Sequence, residues 1–208
     1  SLNLQFPETV VFDEAHFGKF NNNYVMHTHF FDIHPPVAKL IIYGLSRAFQ
    51  YKGDTDFEVR DYKNLDYYGL RQIPSLFATF CAPLVYLSGK AFRLSRTASL
   101  TAAVMIICET SMIVEARFLL TDGILHFFTC LSIFLLGLVY FYKPYSSSWY
   151  AAVVASGIAI GLAVSSKFTS LSLFPFCAFV HFIQIIKERN TYDLKFLINL
   201  IIRGTITI

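Results

Sequence analysis

From residue 73 onward the chain alternates long apolar runs with short basic connections. Residues 73–92 (IPSLFATFCAPLVYLSGKAF), 97–114 (TASLTAAVMIICETSMIV), 118–142 (FLLTDGILHFFTCLSIFLLGLVYFY), 149–166 and 168–186 are five such runs, and a sixth opens near Phe196. Each is close to the length that roughly 30 Å of hydrocarbon asks of a helix. Lipid offers no partner to exposed backbone groups, so these runs predict membrane-spanning helices. Before residue 73 the apolar stretches are short. One of them, after Pro35-Pro36, repeats at helical spacing through Val37, Leu40, Ile41, Leu45, Ala48 and Phe49. Proline suits a first helical turn, and Lys39, Ser46, Arg47 and Gln50 take other positions. This predicts an amphipathic helix lying in the membrane interface, with packing against protein as the alternative. Residues 50–66, YKGDTDFEVRDYKNLDY, read as a polar loop.

Composition narrows the class. The chain has 208 residues, 55% hydrophobic and 15% charged, against about 25% charged in soluble domains. A soluble globular domain does not fit, and intrinsic disorder is excluded. The net charge of +3 carries no basic footprint for nucleic acid. Charge is unevenly spread: residues 1–72 hold seven Lys/Arg and nine Asp/Glu, whereas residues 73–208 hold ten and five. Lys90, Arg93 and Arg96 fall between runs one and two, Lys143 between three and four, and Lys187, Arg189 and Lys195 between five and six. The bias of basic loops toward the cytoplasm puts these three connections there. Residues 1–72 then face the other side, with Glu115, Arg117 and Lys167. Lys90 and Arg203 sit where a long side chain snorkels to the interface. Cys81, Cys108, Cys130 and Cys177 lie inside apolar runs without metal-ligand or redox spacing, and read as buried or lipid-facing thiols. The chain opens on Ser1 and stops inside an apolar run, which reads as a piece of a longer membrane protein with no visible signal peptide.

Several residues carry chemistry. Asp13 and Glu14 follow a short apolar stretch in VVFDEAHFGKF. Adjacent carboxylates there suit a general base acting on a hydroxyl, an oxygen site for a divalent cation, or solvated loop charges. His16, His27, His29 and His34 invite a zinc reading but have no ligand spacing. Glu109 and Asp122 are acids within or at apolar runs, and Arg117 and Lys167 are bases on the same side as residues 1–72. Such groups usually face a bundle interior or cavity. Arg117 then either pairs with Asp122 or Glu115, or helps Lys167 hold a lipid phosphate.

Four segments taken together, VVFDEAHFGKF, FFDIHPPVAKL, ETSMIVEARFLLTDG and VSSKFTSL, resemble the protein O-mannosyltransferases in order and spacing over nearly the whole chain. The resemblance implies an all-α, multispanning GT-C type helical bundle in the endoplasmic reticulum membrane. Residues 1–72 form its lumenal loop with an amphipathic interfacial helix, and residues 73–208 hold about five complete spans and one truncated. It implies transfer of mannose from dolichyl phosphate mannose to Ser or Thr hydroxyls of secretory polypeptides, with inversion, and no cofactor or metal. Asp13 matches the family's proposed base and Glu14 its organising neighbour, with His16 in the same motif. His34, Pro35 and Pro36 match the segment opening the loop helix, Arg117 and Asp122 an Arg-x-x-x-x-Asp segment, and Lys167 a Ser-x-Lys-aromatic motif. Arg117 and Lys167 are assigned to the donor phosphate as stabilisers of developing charge. Glu115 stands where the family often has Gln, and Gly123 where Ser is common. The resemblance also implies further spans, a lumenal domain of MIR motifs beyond residue 208, an inactive isolated fragment, and a homo- or heterodimer with a family member.

Three rivals stay open at this point. One is another polyprenyl-phosphate-sugar transferase of the same architecture, and one a non-catalytic paralogue acting as a dimer partner. The third, a transporter, predicts repeated discontinuous helices with midplane charges; the charges here gather toward one side instead.

Overall fold

Every regular element among the described residues is a helix. In the computed structural model these are residues 3–58 and 67–187, with 198, 201, 202 and 205. α1 (Glu14–Val25) and α2 (Val37–Ala48) precede the apolar runs. α3 (Tyr67–Thr79) and α4 (Cys81–Ala91) carry the first run, and α5 (Arg96–Cys108) and α6 (Thr110–Glu115) the second. α7 (Asp122–Phe141) and α8 (Ser147–Val164) carry the third and fourth, and a 3-10 turn at Phe168–Ser172 followed by α9 (Leu173–Lys187) the fifth. Most of the sixth run, Arg203 and residues 59–66 of the polar loop lie outside the described residues.

Among the described residues, three helical stretches are long and apolar enough to cross a membrane: Tyr67–Ala91, Asp122–Phe141 and Ser147–Val164. Local chemistry explains why the other runs are shorter. Glu109 does not sit inside a span. Its backbone is extended, and its carboxylate caps α6 by accepting the Met112 N–H at 2.7 Å. A carboxylate satisfying an orphan amide at a helix start is stabilising, so the run 97–114 becomes two helices. The first run keeps its full length although Pro83 marks it: the proline has no N–H for the carbonyl four residues back, and α3 gives way to α4 at Phe80 within the stretch Tyr67–Ala91.

Spacing predicts one helix in residues 1–72; the structure has two there, and α3 starts at Tyr67. α1 escapes a periodicity argument because what it buries is Glu14, Phe17, Gly18 and Asn21, not an apolar stripe. α2 forms where the spacing places it, but turns a different face inward. Ala38, Lys39, Ile42 and Ser46 are buried. Val37, Ile41 and Leu45 pack partly on the core, while Leu40 and Phe49 stay 46% and 59% exposed. Packing on protein and an outward apolar edge therefore share this helix.

The core runs between α3, α7, α8 and α9, through Leu70, Ile73, Ile124, Phe128, Ile160 and Leu173, and Ile42 of α2 joins it. α7 is the central element, packed along α8 and α4 and crossing α3. That last crossing is tight: a Cβ at Gly123 would stand 2.4 Å from the Pro74 carbonyl oxygen. Gly123→Ala is therefore expected to force α3 from α7, costing about 1–3 kcal/mol. Thermal unfolding of the full-length protein in detergent checks this. Gly161→Ala, whose Cβ meets no atom within 4 Å, should leave the midpoint unchanged or raise it.

Candidate functional site

Glu14 is the centre of the site. It and Arg71 are both fully buried. The Arg71 Nε–H donates to Glu14 Oε1 at 2.7 Å and an Nη2–H to Oε2 at 2.7 Å. The remaining guanidinium N–H groups donate to the carbonyls of Leu4, Pro7 and Thr9 at 3.0, 2.9 and 3.0 Å. All five donors of the fork are used. Glu14 also accepts the backbone N–H of Val11 at 3.0 Å and of Leu119 at 2.8 Å. Its carboxylate thus joins the N-terminal segment, α3 and the segment before α7. The rings of Tyr67 and Phe118 stand over the guanidinium at 4.9 and 5.4 Å from their centroids.

Asp13, one residue earlier, has a different fate. It occupies the N-cap of α1, yet its carboxylate makes no cap bond. Its backbone carbonyl accepts instead, from the N–H groups of His16 and Phe17, both at 3.0 Å. The side chain is half-buried and binds no donor or cation among the described residues. Phe12, just before it, holds a positive φ of 53°, a conformation that costs a non-glycine residue roughly 1–2 kcal/mol. His16 is exposed on α1.

The cations are partnered differently from either expected pairing. Asp122 takes Lys167, not Arg117: Nζ and Oδ1 are 2.8 Å apart. Glu115 lies 3.9 Å from His126 Nε2. Arg117 has no carboxylate partner among the described residues. Its Nη2 donates to the carbonyls of Asn3 and Phe6 at 3.0 and 3.3 Å, and its Nε–H is buried without an acceptor. Arg117 also lines an apolar groove of about 380 Å3, between α3–α4 and α5–α6.

The His34-Pro35-Pro36 segment is braced against the same region. Val37 donates its N–H to the Ser165 carbonyl at 2.9 Å, which ties the start of α2 to the segment carrying Lys167. Lys39, placed by its spacing away from the apolar face of α2, is buried. It forms an ion pair with Asp32 and donates to the His34 carbonyl at 2.9 Å. His34 Nδ1 is 3.0 Å from the other Asp32 oxygen. Burial alone pushes the Asp32 carboxyl up, but hydrogen bonds from Lys39 and His34 and the Lys39 charge outweigh it, and hold it below the usual carboxylate range. His27, His29 and His34 line a cleft of about 450 Å3 with Tyr24 and Asp32. Among the described residues no three His, Cys, Asp or Glu side chains gather as metal ligands.

Reading the sequence missed Arg71 and the Asp32–Lys39 pair. The available signal for Arg71 was a lone cation on the threshold of an apolar run. Buried there, it demands an acid.

The family described as dolichyl-phosphate-mannose-protein mannosyltransferase matches residues 1–206. Dolichyl-phosphate-mannose–protein mannosyltransferase 3 of Saccharomyces cerevisiae is 37% identical over 169 residues, covering 78% of this chain and 22% of the relative. Dolichyl-phosphate-mannose–protein mannosyltransferase 1 of Candida albicans is 33% identical over 186 residues, covering 88% and 21%. The chain thus spans about a fifth of the length of these relatives. A solved S. cerevisiae protein O-mannosyltransferase Pmt1-Pmt2 complex, bound to the sugar donor, superimposes with a TM-score of 0.87 at 26% identity, over 99% of this chain and 28% of that one. The multispanning helical membrane architecture is the same.

Two expectations follow. Glu14→Gln leaves the Arg71 charge buried without a counter-charge, a loss of about 3–5 kcal/mol; the unfolding midpoint of the full-length protein in detergent should drop by more than for Asp13→Asn. Asp32 sets an acid limit. Its folded value is depressed, so its contribution is complete above the ordinary carboxylate range near about 4, and is lost as pH falls through the lower folded value. Proteolysis of the 26–36 segment should therefore stay slow from neutral pH to about 4 and quicken below, and Asp32→Asn should abolish that pH dependence.

Proposed function

The chain belongs to the dolichyl-phosphate-mannose-protein mannosyltransferase family, and on that premise we propose that it transfers mannose from dolichyl phosphate mannose to Ser or Thr hydroxyls of polypeptides, with inversion at the anomeric carbon. The observation that carries the reading is Arg117: a cation with no carboxylate partner among the described residues and one buried N–H without an acceptor, in the wall of an apolar groove. A lipid-linked phosphate meets both needs, its chain filling the groove and its charge meeting the guanidinium. The acceptor oxygen attacks C1 as Asp13 takes its proton, and the bond from C1 to the phosphate oxygen breaks on the opposite face. Dolichyl phosphate leaves with the bonding pair. Arg117 and Lys167 stabilise the charge developing on it, an electrostatic task suited to donors held in a low-dielectric site. Asp122 orients Lys167 and leaves its other two N–H groups for the phosphate. Glu14 holds the α1 start beneath Asp13 and takes no part in proton transfer. No cofactor is called for, since a base and two cations account for both halves of the displacement.

The same reading places residues 1–72 and the site in the endoplasmic-reticulum lumen and pairs the protein with a second family member. The Pmt1-Pmt2 assembly of the structural neighbour supports the pairing.

Microsomes expressing the full-length protein, assayed with dolichyl phosphate mannose and a Ser/Thr-rich peptide, test the transfer. Asp13→Asn should lower it by about 10²–10⁴-fold with membrane insertion unchanged, the range typical of a general base. Transfer surviving in Asp13→Asn moves the base elsewhere. No transfer by the unaltered protein, even with candidate partner subunits supplied, sinks the reading in favour of a non-catalytic paralogue or another lipid-sugar donor.

A further inference from the structure

The far end of the bundle holds a second cleft of different chemistry. α7 runs 20 residues from Asp122 at the site to Phe141, so its ends stand about 30 Å apart. At the Phe141 end the α4–α5 turn, Tyr140 of α7, and Phe179, Val180 and Ile183 of α9 enclose about 520 Å3. Arg93 is the charged residue of its wall. It is exposed, its guanidinium lies over the Phe141 ring at 5.8 Å, and no carboxylate pairs with it among the described residues.

Two further observations single out this position. Arg93 follows the C-cap of α4 with φ 62°, the left-handed position that helices usually give to glycine. The turn is closed by the Leu94 N–H on the Gly89 carbonyl at 2.9 Å, so a glycine would serve it at lower conformational cost. The two connections beside it are also basic. Lys90 and Arg96 flank Arg93, and Lys143 follows α7, while residues 81–108 and 137–150 contain no Asp or Glu.

We infer that this cleft binds an anionic glycerophospholipid from the leaflet on that side, with a headgroup phosphate on Arg93 and an acyl chain along Phe179, Val180 and Ile183. Basic pockets between membrane helices are built for this combination of charge and apolar depth. A water-soluble phosphate would leave the apolar wall uncovered, and a lipid of no net charge would gain nothing from Lys90, Arg96 and Lys143. The assignment rests on the membrane placement of the helices and not on the transfer reaction.

The test uses the full-length protein in nanodiscs containing phosphatidylcholine and phosphatidylserine, with native mass spectrometry counting retained lipid. One phosphatidylserine should be held in preference to phosphatidylcholine. Arg93→Gly removes the charge while suiting the left-handed backbone, and should lower retention about fivefold without loss of folding. Val180→Trp, which fills the apolar wall, should lower it as well. Equal retention of the two lipids, or retention of phosphatidylserine unchanged in Arg93→Gly, overturns the inference. So does an Ile183→Cys thiol shielded from a lipophilic maleimide, because protein then covers the cleft.

Discussion

Glu14 and Arg71 are buried together where neither would be tolerated alone. Moving one such ion from water into a medium of dielectric constant about 4 has an idealised cost of order 20 kcal/mol, and several kcal/mol remain after relaxation. The pair survives because every lone charge and donor finds a partner. Those partners are spread over the chain: Arg71 is 57 positions from Glu14, and Leu119 is 105. Each bond is therefore also a tie between segments. The irregular N-terminal stretch is held by its own carbonyls on Arg71. The pair stands to the site as a keystone does to an arch.

The pairing also sorts the charges around it. Asp13, Asp122, Arg117 and Lys167 stand at the same end as Glu14 and Arg71, with Glu115 two residues before Arg117. Glu14 cancels Arg71 and Asp122 cancels Lys167. Asp13 and Arg117 carry no ion pair among the described residues and sit on elements the buried pair has fixed. Two adjacent carboxylates thus meet different surroundings, because the start of α1 turns Glu14 inward and leaves Asp13 at its edge.

Motifs far apart in sequence meet through backbone as well as charge. The Val37 N–H on the Ser165 carbonyl joins the Pro35-Pro36 corner to the segment of Lys167, and Asp32, His34 and Lys39 stiffen that corner from within. The opposite end of the bundle is arranged otherwise. There the α4–α5 and α7–α8 connections hold Lys90, Arg93, Arg96 and Lys143 without an acid and the cleft wall is largely apolar, so the two ends present different surfaces.

How much was legible follows from the range of each signal. Runs of apolar residues and the spacing of Val37, Leu40, Ile41 and Leu45 are local, so the membrane class, the helical class and the position of α2 could be read directly. So could the grouping of Asp13, Glu14, Arg117, Asp122 and Lys167 as charges of one side, because loop charge reports sidedness. The breaks at Phe80 and Glu109 were less plain, since a proline and a capping acid compete with a hydrophobic run that points the other way. α1 was hidden because it buries a carboxylate, a glycine and an asparagine. Which cation takes which anion was not in the sequence at all: Arg117 has Asp122 five residues away, yet Asp122 goes to Lys167, 45 residues on. Hydropathy and helical period act over a few residues and determine what the chain is made of. Ion pairing acts wherever the packed helices bring side chains together, and only the tertiary structure decides that.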